Sequence, residues 1–485
     1  MNKLLPIVHV LGAVLMVFSA AFLMPVLTAV WYQDGTAREF VESLLIALGT
    51  GYLMWLLTRR FKRELKARDG FLLVSLLWIV MAAFATIPLM KAIPGLSFTD
   101  AYFETMSGLT TTGATVLVGL DNLPQALNLW RHELNWLGGM GIIVLAVAIL
   151  PLLGVGGREL YKAETPGPMK DSQLTPRITE TAKNLWLVYL AITIACIVSL
   201  RLAGMTWFDA VCHAFAAMGL GGFSTHDASV GFFNSPAIEF VLIVFMLLAG
   251  MNFATHFLVW REKSFRPYRH DTEAKAFLLL VLGSCAGIAA YLVHMGTYDN
   301  FWTALRHASF NLVSIATDCG FASVDFNQWP IFAPLWMLFL SCVSVSSGST
   351  GGGIKMIRTL LVIKQGWREM LHLLHPRAIF LIKIGRQVIP NKVVFSVQGF
   401  IFLYFYSVIG LSFVLMASGL DFVTAFSAVI ACINNAGPGL NQVGPAGNFQ
   451  GLSDFQTWVC TFTMLLGRLE LFTLLIIFTP AFWRK

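Results

Sequence analysis

The chain is poor in charge: Asp, Glu, Lys and Arg make up 12% of its 485 residues, against 57% hydrophobic ones. A soluble domain of this size needs about twice that charge to cover its surface, so lipid is the solvent for most of the molecule. Also lacking are the patterns that carry chemistry. There is no CxxC and no HExxH, and His9, His213, His256 and His307 are dispersed. The cysteines at 196, 212, 285, 319, 342, 432 and 460 are odd in number and mostly inside apolar runs, so they read as small hydrophobes rather than a disulfide or metal framework. The "HLLH" at 372–375 reads as the solvated face of a basic helix. The residues make no case for an active site.

What is abundant is long apolar sequence, with a mean hydropathy of +0.72. Ten stretches of bilayer-spanning length fall near 7–31, 40–58, 71–90, 134–153, 184–203, 236–258, 274–294, 331–345 with its continuation, 393–418 and 455–480. The first is twice as long as a signal peptide's apolar region and reads as a retained helix. The net charge of +7 is not spread as nucleic-acid binding requires. If the spans alternate, 27 of 33 Lys and Arg fall on one side, at Lys3, 59–68, 158–183, 261–275, 355–392 and 484–485. That side is expected to be cytoplasmic, with both termini on it. The opposite side holds five basic and fifteen acidic residues, a balance that concentrates cations. Loops that merely avoid Lys and Arg give the same sign.

Between the spans lie four shorter stretches: "DAYFETMSGLTTTGA" (100–114), "DAVCHAFAAMGLGGF" (209–223), "HASFNLVSIATDCGF" (307–321) and "TAFSAVIACINNAGP" (424–438). In each, an alanine is followed twelve residues later by a glycine: Gly113, Gly222, Gly320 and Gly437. These glycines are spaced by 109, 98 and 117 residues, the mark of a fourfold repeat. Twelve residues of helix rise about 18 Å, half a bilayer, so each stretch is expected to dip in and return. Asp100, Asp209 and Asp421 are the expected N-caps. Two crossings per unit make the four half-helices parallel, with their partly negative ends aimed at one point that favours a cation. A second register of glycines, Gly139, Gly250, Gly348 and Gly467, lies 26 to 30 residues further on.

The fold expected is therefore an all-α polytopic membrane protein, with two N-terminal helices and four parallel membrane–pore-loop–membrane repeats around a pseudo-fourfold pore. The expected divisions are 1–69, 70–157, 158–260, 261–392 and 393–485.

The run "VSVSSGSTGGGIKMIR" (343–358) interrupts the eighth span. It is not a phosphate loop: Lys355 comes one residue late, Met356 stands where Ser or Thr should be, and no strand precedes it. Its place in the repeat puts Ser346, Ser347, Gly348, Ser349, Thr350, Gly351, Gly352 and Gly353 at membrane depth. Irregular backbone persists there only inside protein or along a water-filled cavity. A mobile plug beneath the cation site and a buried helix kink both fit. Arg468, in the tenth span, is expected to face the pore below the loops as a positive barrier or as an anchor for carbonyls of 346–353. Glu470 is expected to face a neighbouring helix.

With "TTTGA", "GLGGF", "TDCGF", "NNAGP", "SSGSTGGGIK" and "GRLE" in these positions, the chain resembles the Trk/Ktr/HKT superfamily of potassium transporters. Its two extra N-terminal spans make it most similar to the bacterial TrkH branch. The resemblance implies a potassium pathway in which carbonyls of Thr111, Thr112, Gly113, Leu220, Gly221, Gly222, Asp318, Cys319, Gly320, Asn435, Ala436 and Gly437 replace the ion's water. Serine at the first filter glycine accompanies sodium transport in plant relatives, so Gly113 implies potassium. The resemblance also implies a homodimer in the bacterial inner membrane, with K+ as cargo and no organic cofactor. Its implied partners are cytosolic TrkA-like regulatory subunits binding NAD(H) or ATP/ADP. A symporter coupled to H+ or Na+ is the alternative, with Asp318 and Glu470 as its only obvious titratable candidates.

Overall fold

A computed structural model describes residues 4–61, 66–149, 178–385 and 387–484. The end of the fourth span, most of the basic stretch at 158–183 and the division at 157/158 lie outside the described residues. The first two helices, Leu5–Tyr32 and Ala37–Phe61, precede the repeats. The first passes through a 3₁₀ turn at Ala20–Phe22, where Pro25 cannot donate to the preceding turn. The two cross at Gly12 and Gly51, where a Cβ on either glycine would lie under 3.0 Å from the other's carbonyl oxygen. Small residues allow this close approach inside a membrane.

Four units follow, each an outer helix, a short pore helix and an inner helix. The outer helices are Ala67–Ala92, Ile178–Leu202, Thr272–His294 and Asn391–Ala417. The pore helices are Phe98–Leu109, Trp207–Gly219, Phe301–Ala316 and Phe422–Asn434. All four start on a capped turn, at Ser97, Thr206, Asn300 and Asp421. Asp100 and Asp209 are therefore not the caps the sequence suggested. Each sits three residues inside and accepts the hydroxyl of the true cap, Ser97 at 2.8 Å and Thr206 at 2.7 Å.

The inner helices depart most from hydropathy. The first, Gln125–Ile149, begins nine residues before the expected span. Its outer half carries Asn128, Arg131, His132, Glu133 and Asn135, all buried. It packs on pore helices rather than lipid, so its polarity is no bar to burial. The second and fourth are not continuous spans. Pro236–Ala249 meets Phe253–Glu262 at 94°, and Asp454–Arg468 meets Phe472–Phe478 at 110°. The third is the helix Phe332–Val343, an irregular stretch, then Met356–Leu374. A two-residue β-hairpin, Lys383–Ile384 with Gln387–Val388, forms inside the segment 378–389 that alternates in the sequence.

Candidate ion pathway

Each pore helix ends in the same backbone figure. The residue two before the repeat glycine is left-handed: Thr111 (φ 55°), Leu220 (54°), Asp318 (64°) and Asn435 (58°). The glycine itself has φ of 77°, 63°, 91° and 87° in turn. The amide between them reaches back five residues at 2.8 Å in all four loops: Thr112 to Ser107, Gly221 to Ala216, Cys319 to Ser314 and Ala436 to Ala431. This is the helix stop that normally falls to glycine or asparagine. A threonine or leucine held there costs about 1–2 kcal/mol, a strain that persists only where the surroundings enforce it.

The four loops meet head to tail. A Cβ on Gly113 would strike the Gly221 carbonyl oxygen, and one on Gly222 the Cys319 oxygen. One on Gly320 would strike the Ala436 oxygen, and one on Gly437 the Thr112 oxygen. All four approaches are under 3.0 Å, so the ring closes and no side chain fits at any of the four positions. The structure thus brings together the twelve loop residues that the sequence analysis singled out. A cavity of about 90 Å³ opens onto all four glycines and is also lined by Arg131, His226 and Asp227.

Sequence reasoning missed the supports behind the ring. Nine residues before the first three glycines stand Glu104, His213 and Asn311, each holding the chain that leaves its loop. Glu104 accepts the Thr115 hydroxyl and the Val116 amide, both at 3.0 Å. His213 bonds the Ser224 hydroxyl at 2.9 Å, and Asn311 donates to Ser323 at 3.0 Å. Glu104 also takes the buried Arg131 Nε at 2.7 Å, and Arg131 reaches the Ser224 carbonyl of the second unit at 3.2 Å. The fixed offset of nine was the available signal, hidden because the three residue types differ.

Beneath the ring runs the 346–353 stretch. Ser346 N donates to Gly250 O at 3.0 Å, Thr350 N to Ala249 O at 3.3 Å, and Gly348 O accepts Phe253 N at 3.1 Å. The broken second-repeat helix therefore supplies the partners that a continuous helix could not. Ser347 N donates to Glu273 Oε1 at 2.6 Å, and Ser349 N to Ser346 O at 3.2 Å. Thr350 Oγ1 donates to Met218 O at 3.0 Å. Gly351 lies against Thr317 O, Gly352 against Asn434 O and Gly353 against Ser341 O, with no room for a Cβ. The stretch thus touches the carboxyl ends of the second, third and fourth pore helices.

Arg468 completes this floor on the first-repeat side. Its Nη1 donates to Thr111 Oγ1 at 2.7 Å and Thr350 O at 3.0 Å, and its Nη2 to Gly138 O at 2.8 Å. Glu470 pairs instead with Arg358 of the Met356–Leu374 helix at 2.8 Å. Asp318 is fully buried, and the Gly352 amide and the Lys355 ammonium face its carboxylate. The second glycine register needs one correction. Gly138, not Gly139, abuts the Leu109 carbonyl as Gly467 abuts that of Ile433. The pair Gly138–Gly139 hid the shift of one.

The TrkH cation transport protein family matches residues 37–485. The chain is 47% identical over 484 residues to the Trk system potassium uptake protein TrkH of Halomonas elongata, covering 99% of each. It is 44% identical over 480 residues to the TrkH of Escherichia coli K12, again covering 99% of each. The crystal structure of the potassium transporter TrkH from Vibrio parahaemolyticus superposes with a TM-score of 0.91 at 45% identity, over 99% of this chain and 100% of that one. The molecule is a membrane transporter and not an enzyme, and it belongs to the TrkH family of cation transport proteins.

Proposed function

We propose that the chain takes up potassium through the ring of Thr111–Gly113, Leu220–Gly222, Asp318–Gly320 and Asn435–Gly437. The closed head-to-tail approach of four glycines carries this reading. In this reading peptide oxygens of the four loops surround one axis and replace the water of a monovalent cation. The parallel pore helices add their negative carboxyl ends. In this reading 346–353 and Arg468 form the gate, since they cross the floor of the ring. The chain works as a homodimer in the bacterial inner membrane with both termini in the cytoplasm. Cytosolic nucleotide-binding subunits act on its basic face; the naming of its relatives as parts of a Trk system supports a partner only in general.

The test is radiolabelled rubidium uptake into proteoliposomes under a potassium gradient, with unlabelled potassium, rubidium, sodium and lithium as competitors. Competition by potassium and rubidium alone supports the reading, and equal competition by all four ions overturns it. Ion-coupled symport stays as a second reading because of Asp318, a fully buried carboxyl in the third loop of the ring. A reversal potential that follows the potassium gradient alone excludes it.

A further inference from the structure

Both ends of the 346–353 stretch are held by one atom. Glu273 Oε1 accepts Ser347 N at 2.6 Å and Ile357 N at 3.1 Å. These amides flank the irregular stretch, one entering it and one at the start of the Met356–Leu374 helix. No sequence motif marks Glu273, which lies in the first turn of the third outer helix. Its place ties the stretch to the basic segment before it. Asp271 caps that helix through the Glu273 and Ala274 amides at 3.0 Å each, and accepts the Thr255 hydroxyl at 2.9 Å. Tyr268 bonds His256 at 2.6 Å, and His256 bonds Leu248 O at 2.9 Å, next to the carbonyls that take Ser346 and Thr350. The segment carrying Arg261, Lys263, Arg266 and Arg269 therefore cannot move as a body without moving Glu273.

We propose that Glu273 is the positioning residue of the gate: its single oxygen staples the two ends of the 346–353 stretch under the ring. The basic 261–271 segment moves the staple. This rests on the reading of 346–353 as a gate and adds the residue that sets its position. Geometry, not charge, is the working property, because both hydrogen bonds fall on one oxygen. A glutamine keeps that oxygen and its reach, whereas an aspartate keeps the charge and loses the reach.

The experiment compares Glu273→Gln, Glu273→Asp and Glu273→Ala in the full chain, reconstituted in liposomes, by rubidium flux. A second readout is the rate at which a membrane-impermeant maleimide modifies Ser349→Cys, added in each background. Glu273→Gln is expected to match the parent. Glu273→Asp and Glu273→Ala are expected to raise flux and labelling about tenfold, the change that loss of one ordinary hydrogen bond makes in an equilibrium. Should Glu273→Ala fail to fold, the Gln and Asp pair decides alone. Parental behaviour of Glu273→Asp, or elevated flux in Glu273→Gln, overturns the proposal. A deletion within 346–353 separates the two failures. Raised flux there with a silent Glu273→Asp sinks the staple only, while unchanged flux in the deletion sinks the gate and the staple together.

Discussion

Arg468 Nη1 donates to the Thr111 hydroxyl at 2.7 Å, joining the last repeat to the first across 357 residues of chain. Thr111 is the left-handed stop of the first pore helix, and the same nitrogen holds Thr350 of the stretch beneath it. One guanidinium therefore grips the ring and its floor together. Replacing Arg468 by alanine frees three acceptors and removes a buried positive charge from beneath the ring. Rubidium flux is expected to rise about tenfold, equivalent to ~1.4 kcal/mol off the barrier. An unchanged flux in a folded Arg468→Ala protein would remove Arg468 from the gate.

Gly113→Ser puts a Cβ against the Gly221 carbonyl oxygen and forces a side chain onto a positive φ. The neighbouring loop must retreat, and the oxygen ring loosens on that side. The potassium-to-sodium flux ratio is expected to fall about tenfold, as a loss of ~1.4 kcal/mol in discrimination gives. Measured ratios equal to the parent's would mean that this glycine does not shape the site.

The ring was legible because it is periodic. Four glycines at near-equal spacing, each half a bilayer into a dip, leave few arrangements other than a common axis. The floor was legible for a different reason, since Gly and Ser at membrane depth are conspicuous. Less legible was everything fixed by a neighbouring element. The bends at Gly250–Asn252 and at Leu469–Leu471 leave no trace in hydropathy, because both halves are apolar. Glu104, Arg131 and His213 were overlooked because a polar residue that packs on a pore helix has no distinctive local pattern. Glu273 belongs with these: its partners lie 74 and 84 residues away.

The Glu104–Arg131 pair is buried, with 0% and 1% of the side chains exposed. Breaking such a pair leaves a bare charge in a low-dielectric site, a loss of about 3–5 kcal/mol. Glu104→Leu is expected to destabilise the detergent-solubilised protein by that order, seen as a lower unfolding temperature. The double variant Glu104→Leu, Arg131→Leu should recover part of the loss, because no charge remains unpaired. A double variant less stable than Glu104→Leu would contradict this.

At the outer mouth, His226 Nδ1 donates to Asp121 at 2.5 Å, and Phe232 stacks on the ring at 3.5 Å between centroids. That hydrogen bond holds the Asp121 carboxyl below its usual range. A depressed carboxyl contributes its stability in full above its unfolded value, about pH 3.9 for aspartate, and loses it as pH falls through the lower folded value. The parent is thus expected to exceed Asp121→Asn in unfolding temperature at neutral pH. The gap should narrow as pH falls below about 3.9 and close only below the depressed folded value, where the carboxyl is protonated in both states. A gap that persists at the lowest pH would show that the carboxylate's charge is not what matters.

The most direct measurement of the central claim is anomalous diffraction from crystals grown in rubidium. The account predicts one peak on the pseudo-fourfold axis, within coordination distance of peptide oxygens from all four of the loops that end in Gly113, Gly222, Gly320 and Gly437. Rubidium bound only in the outer mouth, or beside a single loop with the centre of the ring vacant, would contradict it.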